Sequence, residues 1–378
     1  MKLLHILGAR PQFIKYFPIQ TAIKKKAAQY DLLNLLVHTG QHYDYRLSKI
    51  FFDELGIEAP AYHLGVGSGN HGEQTALVLQ KVEEVLCIEK PDMVVVYGDT
   101  NSTLGGALAA AKLHITVAHI EAGLRSFNKQ MPEEINRVLT DHLSSLLFCP
   151  SETAVNNLKN EGIKNNRRQD RHHEAILSNP VRDQKPLAIN VGDVMYDMCR
   201  HTVRVAREKS CILNELSLAG KEYDLLTLHR AENTNNIDIL EGMVYFLNEA
   251  TAGRRVIFPM HPRMVKVYQQ IRVKLADHVK IIEPLGYLDL LMLLNYAERV
   301  FTDSGGMQKE AYWLKVPCIT MREETEWLET VSSGWNILYR DYRGRHHPNT
   351  DEVNAYGDGT AADRIVDMLL AWGGVRKP

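Results

Sequence analysis

The sequence predicts an α/β protein made of two doubly wound, Rossmann-like parallel-sheet domains. Short, nearly continuous apolar runs alternate with helix-like segments, as strands buried on both faces require. Glycine, proline or aspartate punctuates the ends of these runs. The strand–helix series occurs twice, on either side of a polar stretch.

In the first series, Leu3 to Leu7 reads as a buried strand. Gly8-Ala9-Arg10 then turns into a helix, with Pro11 suited to the first helical position. Leu32 to Val37 is a second strand, and Met93 to Tyr97 a third, preceded by Pro91-Asp92. Gly98-Asp99-Thr100-Asn101-Ser102 leads into a small-residue helix from Thr103 to Leu113, and Ile115 to Ile120 is a fourth strand. The stretch from Lys164 to Lys185 is polar and basic and reads as a surface loop or insertion. The second series has strands at Leu225 to Leu228, Val256 to Pro259, Lys280 to Ile282, Arg299 to Thr302 and Pro317 to Met321. The boundary is expected within 186–205, giving an N-terminal domain of 1–186 and a C-terminal domain of 187–360, with a helix in 361–378 packing back on the first. The functional crevice is expected where strand ends of the two halves face each other.

Composition is compatible and excludes several classes. With 378 residues at roughly 150 per domain, two or three domains are expected. Hydrophobic residues make up 45% and charged residues 24%, enough apolar mass for a large core and too little net charge for disorder. Lys and Arg total 44 against 46 Asp and Glu, so no basic excess suits the chain to nucleic acid or an anionic membrane. The five cysteines are scattered without a CxxC pair, which argues against a disulfide framework and a structural zinc site. The apolar start is too short for a signal peptide and no window approaches a membrane span. A cytoplasmic enzyme is the resulting expectation.

Several strand ends carry chemistry. Asp303-Ser304-Gly305-Gly306 places two glycines where a strand gives way to a helix, so free N–H groups and the helix dipole can meet a phosphate. Glu310, one turn on, would be repelled by phosphate and suits ribose hydroxyls instead. Gly8 to Lys15 offers a similar geometry, from which Arg10 and Lys15 can reach a diphosphate; two ordinary surface cations would look the same. Asp99 and Glu121 stand at strand ends, and Glu133 at a helix start. Each has a plain structural reading: Asp99 as a turn or cap residue, Glu133 as a helix-starting acid paired with Arg137 four residues on. His229-Arg230 ends a strand of the second half. Together three carboxylates and a histidine would make an acid/base set. No metal-ligand spacing and no GxGxxG accompany them, so neither metal nor nicotinamide is indicated.

As an ordered set, these segments resemble the non-hydrolysing UDP-N-acetylglucosamine 2-epimerases. The matching runs are GARPQFIK at 8–15, TGQH at 39–42, YGDTNSTL at 97–104, HIEAGLRS at 119–126 and MPEEINRVLTDH at 131–142. TLHRAEN at 227–233, HPR at 261–263, TDSGGMQKEA at 302–311, REETEW at 322–327 and YGDG at 356–359 follow in order. The resemblance implies a GT-B architecture, two such domains facing across a cleft. It also implies interconversion of UDP-GlcNAc and UDP-ManNAc by elimination and re-addition of UDP through a 2-acetamidoglucal, without a cofactor. By correspondence Asp99, Glu121 and Glu133 are the acid/base candidates, with His229 near the diphosphate. Arg10, Lys15, Ser304, Gly305 and Gly306 correspond to diphosphate ligands, Glu310 to the ribose ligand, and Leu285 and Leu290 to uracil contacts. Gln41, Gln74, Arg230 and His261 match a second, allosteric UDP-GlcNAc site found in some members. A homodimer in surface-polysaccharide precursor supply is also implied.

Three departures stand out. Trp327 replaces the usual arginine after Thr-Glu and, with GARPQFIK, resembles the subgroup containing UDP-2,3-diacetamido-glucuronate 2-epimerases. The 164–190 segment is unusually long and polar. The region between Asn336 and Tyr356 is unusual and reads as a solvated loop, or alternatively a specificity loop. A GT-B glycosyltransferase would not need the carboxylate set, a hydrolysing epimerase would release free N-acetylmannosamine, and a sugar-nucleotide sensor would be expected to lose an acid/base residue.

Overall fold

Apolar runs that are buried along their length form parallel strands, and each helix between them returns the chain to the same edge of the sheet. The computed structural model describes residues 1–41, 57–163, 186–344, 346, 348 and 352–374, with backbone alone at 231, 232 and 263. The expected loop at 164–185, His42 of the TGQH run and the tail 375–378 lie outside these residues. The described chain divides into two units, 1–198 with 356–378, and 199–355.

The first unit runs β1 (Lys2–Leu7), α1 (Arg10–Ala27), β2 (Leu33–His38), β3 (Tyr62–His63), α2 (His71–Glu89), β4 (Met93–Tyr97), α3 (Asn101–Lys112) and β5 (Thr116–Ile120). It continues with α4 (Pro132–Leu143), β6 (Leu146–Cys149), α5 (Glu152–Asn160), β7 (Leu187–Asn190) and α6 (Val194–Lys209), which leads into the second unit. The sheet order is β3-β2-β1-β4-β5-β6-β7, and all its pairings are parallel. The order reverses between β1 and β4, the switch point where doubly wound sheets bind ligands.

Small residues let α3 lie close to its neighbours. A Cβ on Gly105 would stand 2.7 Å from Val78 of α2, and one on Gly106 2.7 Å from Ile6 of β1. The core here joins Leu4, Ile6, Val37, Val94, Val96 and Val117 of the sheet to Val78, Val82 and Leu86 of α2 and the alanines of α3.

The second unit runs α7 (Ile212–Glu215), β8 (Tyr223–Thr227), α8 (Ala231–Thr234), α9 (Ile237–Ala250), β9 (Arg255–Pro259), α10 (Pro262–Tyr268) and β10 (Val279–Ile282). α11 (Tyr287–Tyr296), β11 (Arg299–Thr302), α12 (Gly305–Trp313), β12 (Cys318–Thr320), α13 (Leu328–Ser332) and β13 (Asn336–Leu338) complete it. Its sheet, β10-β9-β8-β11-β12-β13, is also all parallel, with the same reversal between its first and fourth strands.

Two expectations change. Residues 187–198 belong with the first unit rather than the second, because β7 pairs with β6 from Leu146↔Leu187 to Cys149↔Asn190. After Asn336 the chain is not simply a solvated loop. It forms edge strand β13, and Tyr342 is only 7% exposed, packed on Phe301 and Phe246 with its hydroxyl bonded to Arg299. The last helix, α14 (Ala361–Trp372), packs on α1 in the first unit, where Lys26 pairs with Asp367. Asp197 of α6 accepts the Ala361 and Ala362 N–H groups at its start, at 3.1 and 3.0 Å. No described helix is long and apolar enough to cross a membrane.

Candidate active site

At the first unit's switch point, β1 ends on Gly8, where a Cβ would fall 2.0 Å from the Ser102 hydroxyl and 2.3 Å from that of Thr39. Only glycine fits. Just before this helix start Gln12 folds back, and its Oε1 accepts the Gly8 and Ala9 N–H groups at 2.7 and 3.0 Å. Its Nε2 donates to the Tyr97 carbonyl and the Thr103 hydroxyl, so β1, β4 and α3 are tied together by one amide. Arg10 remains exposed at the start of α1.

Lys15, expected to face a diphosphate, instead forms a buried ion pair with Glu121. Burial alone would push the Lys15 ammonium down, but Glu121, then Asp99 and Asp193, outweigh it and hold it above its usual range. Glu121 follows β5 with φ +72°, a left-handed conformation that costs energy in a non-glycine residue and concentrates at functional sites. Gly98 after β4 leaves room for the pair. A Cβ there would lie 3.1 Å from Glu121 Oε2 and 3.4 Å from Lys15 Nζ.

Asp99 pairs with Arg137 of α4, and its carbonyl accepts from Asn136 at 3.0 Å. Arg137 therefore does not bind Glu133, as the i,i+4 spacing suggested. Its second contact is Glu134, at 3.3 Å. Glu134 is buried and accepts from Ser126 N, Ser126 Oγ and Phe127 N, fixing the loop before α4. Glu133 is exposed, and no described residue engages its carboxylate. It lies one turn before Arg137 on the same helical face.

In the second unit, Asp303 after β11 is fully buried and acts as an anchor. It accepts from His229 N at 3.0 Å, Arg230 N at 2.9 Å and Asn233 Nδ2 at 3.1 Å, shaping the turn after β8. His229 Nδ1 lies 3.4 Å from Asp303, while the ring is 40% exposed and 5.7 Å from that of His261. Ser304 caps α12, its hydroxyl accepting from Met307 N. The N–H groups of Gly305 and Gly306 occupy the first helical positions, which no helix carbonyl can satisfy. Glu310 is 6% exposed and accepts the Tyr287 hydroxyl at 2.7 Å. Burial pushes its carboxyl up, offset by Tyr287 and Lys309.

Trp327 supports this helix start from behind. Its Nε1 lies 3.3 Å from where a Gly305 Cβ would be, and its ring receives the buried Lys309 ammonium at 4.0 Å, a cation–π contact. Leu285 and Leu290 flank Gly286, the cap of α11, and are half-buried. Of the remaining candidates, Gln41 and Gln74 lie in the first unit and are drawn into its own contacts. Gln41 Oε1 accepts from Ser102 N and Oγ at 3.0 and 2.6 Å, and Gln74 bridges Gly67 O and Asn101. Arg230 and His261 lie in the second unit, His261 exposed. Gln12, Asn136 and Lys309 were not singled out from sequence. Only the cramped residues around each would have pointed to them.

Open, doubly wound sheets bind their ligands at the switch point. Here one edge presents carboxylates and the other a helix start. The model of the UDP-N-acetylglucosamine 2-epimerase family matches residues 24–370, and the chain belongs to that family. It is 47% identical to a UDP-N-acetylglucosamine 2-epimerase homolog of Methanococcus maripaludis, over 98% of this chain and 99% of that one. It is 44% identical, with the same coverage, to the UDP-2,3-diacetamido-2,3-dideoxy-D-glucuronate 2-epimerase of Pseudomonas aeruginosa. The crystal structure of the Methanocaldococcus jannaschii UDP-GlcNAc 2-epimerase in complex with UDP-GlcNAc and UDP superposes with a TM-score of 0.76 at 42% identity, covering 98% of this chain and 99% of that one.

Proposed function

We propose that the chain interconverts UDP-N-acetylglucosamine and UDP-N-acetylmannosamine by eliminating and re-adding UDP. The observation that carries this reading is the carboxylate set of the first unit. Asp99 and Glu121 end adjacent strands, and Glu133 shares a helical face with the arginine that binds Asp99. In the forward half, a carboxylate removes the C2 proton, its electron pair forms the C1=C2 bond, and the C1–O bond breaks to release UDP. In the return half, the UDP oxygen rejoins C1 and a proton reaches the opposite face of C2. The sum is redox-neutral and takes no electron carrier.

The roles divide by unit. Asp99, Glu121 and Glu133 move protons, with Lys15 holding Glu121 in place. Arg10, His229, Ser304 and the Gly305 and Gly306 N–H groups stabilise charge on the departing diphosphate. Glu310 takes the ribose hydroxyls, and Leu285 and Leu290 the uracil. The near-equal identity to the diacetamido-glucuronate enzyme, together with Trp327, supports a second reading in which that modified UDP-sugar is the substrate. Gln41, Gln74, Arg230 and His261 are carried as a proposed regulatory set. Hyperbolic kinetics with one bound sugar nucleotide per chain by calorimetry would remove it. The homodimeric, cytoplasmic state is part of the same proposal and is read by light scattering and fractionation.

Incubation with UDP-GlcNAc in deuterated water, followed by proton NMR, tests the main reading. Deuterium at C2 with UDP-ManNAc formation is expected. Exchange with the diacetamido-uronate alone moves the assignment to the second substrate, and free N-acetylmannosamine indicates hydrolysis instead.

A further inference from the structure

We infer that His119 is a buried imidazolium, protonated on both ring nitrogens, through which Asp141 and Arg125 position the Gly98–Asp99 turn. His119 lies on β5 and is fully buried. Its Nδ1 is 2.7 Å from Asp141 Oδ1, and its Nε2 is 2.8 Å from the Gly98 carbonyl oxygen. A carbonyl can only accept. A neutral imidazole has one donor, so with Asp141 ionised either tautomer would aim a lone pair at an oxygen. The alternative is a protonated Asp141 donating to the ring. Asp141, however, already accepts Gly123 N at 3.1 Å and Arg125 NH1 at 2.7 Å, both of which favour the carboxylate.

Charge balance agrees. Arg125 is 1% exposed and grips Glu161 with two bonds, of 2.6 and 2.7 Å. Arg125 and an imidazolium balance Asp141 and Glu161, with His142 3.6 Å from Glu161 at the cluster's partly exposed end. No other charge faces the ring from the flanking strands, where its register neighbours are Val96 of β4 and Leu147 of β6. α4 contributes Asp141, the loop after β5 contributes Arg125, and Lys15–Glu121 lies beside Gly98. Two other buried histidines contrast with it. Burial pushes His5 down to about 3, and burial with His63 nearby pushes His38 down to about 4, so both are neutral near pH 7.

The consequence falls on Asp99. Gly98 has φ +59°, donates its N–H to the Ile120 carbonyl at 3.0 Å, and gives its own carbonyl to His119. Both polar groups of Gly98 are thus pinned to β5, which sets where the next residue, Asp99, can point. His119 is a positioning residue. Its charge follows from the hydrogen bonds alone, while its effect on turnover rests on the proposed epimerisation.

The test is long-range proton–nitrogen NMR of the nitrogen-15-labelled full chain, with His119 assigned by its loss in His119→Gln or, if that variant does not fold, by its response to Arg125→Lys. Two protonated ring nitrogens at pH 7.5 are expected for His119, with one protonated nitrogen each for His5 and His38. A His119 nitrogen with the unprotonated shift at pH 7.5 overturns the assignment. In parallel, His119→Gln and Arg125→Lys are expected to lower kcat by roughly 10²-fold while UDP affinity is retained. Unchanged kcat in a folded variant overturns the positioning role. Wild-type protein inactive on both UDP-sugars would instead reject the proposed function, and the nitrogen shifts would still decide the charge of His119.

Discussion

The two units share one strand order around their switch points but treat helix starts differently. In the first unit, the Gly8 and Ala9 N–H groups just before α1 are taken by Gln12, and α14 begins on the carboxylate of Asp197. In the second, α12 begins on Gly305 and Gly306, with Glu326 Oε1 and Trp327 Nε1 standing 2.8 and 3.3 Å from where a Gly305 Cβ would be. Topology therefore places a candidate anion site at both switch points, and different side chains line the two: Gln12 at one, Ser304, Glu326 and Trp327 at the other. The first unit's strand ends carry carboxylates and their cation partners, and the second's carry the helix start proposed for the diphosphate.

This contrast can be broken experimentally. The largest effect is expected at Glu121. Glu121→Gln should lower kcat by about 10³-fold, within the range for a lost acid/base group, while the chain still folds and UDP affinity is retained, with a lower melting temperature because Lys15 loses its partner. Near-normal turnover would remove Glu121 from the proton-moving set.

Next comes the Asp197 cap. Burial raises its carboxyl to about 6, against the pull of the two helix N–H groups. A raised carboxyl binds its proton more tightly in the folded state. Stability is then complete below about pH 4, falls as pH rises toward about 6, and is level above, by at most about 3 kcal/mol. Urea unfolding from pH 4 to 7 reads this slope, and Asp197→Asn should flatten it.

The turn before α1 should be structural. Gln12→Ala strands two buried N–H groups, and Gly8→Ala drives a methyl into Ser102. Each is expected to cost about 2 kcal/mol in urea unfolding. The start of α12 should be functional. The nearest atom to a Gly306 Cβ is 3.9 Å away, so Gly306→Ala should fold normally yet weaken UDP binding by about tenfold in calorimetry, or about 1.4 kcal/mol. If Gly8→Ala weakened UDP and left stability alone, the division of labour would be reversed.

Much of the fold was legible, because buried parallel strands advertise themselves. Val94 to Val96 and Leu225 to Leu226 can sit only between covering layers. The strands that escaped notice are short edge or near-edge pieces: Tyr62–His63, Leu146–Cys149, Leu187–Asn190 and Asn336–Leu338. They have too few residues for a period, and two depend on a partner strand. The units divide at 198/199, inside the expected 186–205 but beyond the cut at 186/187, since Leu187 is recognised as part of the first sheet only by pairing with Leu146.

The sequence by itself determined the two doubly wound sheets and the residues that stand at their strand ends, since both depend on local pattern. Asp99, Glu121, His229 and Gly305 could be placed there from a strand, a turn and a helix start. Tertiary structure alone decided whom each one faces. Lys15 meets Glu121 across 106 positions of sequence, Arg137 takes Asp99 rather than its i−4 neighbour, and His119 finds its acceptors on α4 and after β4. Partners of this kind are set by how strands and helices stack, and stacking leaves no spacing in the chain for a reader to see.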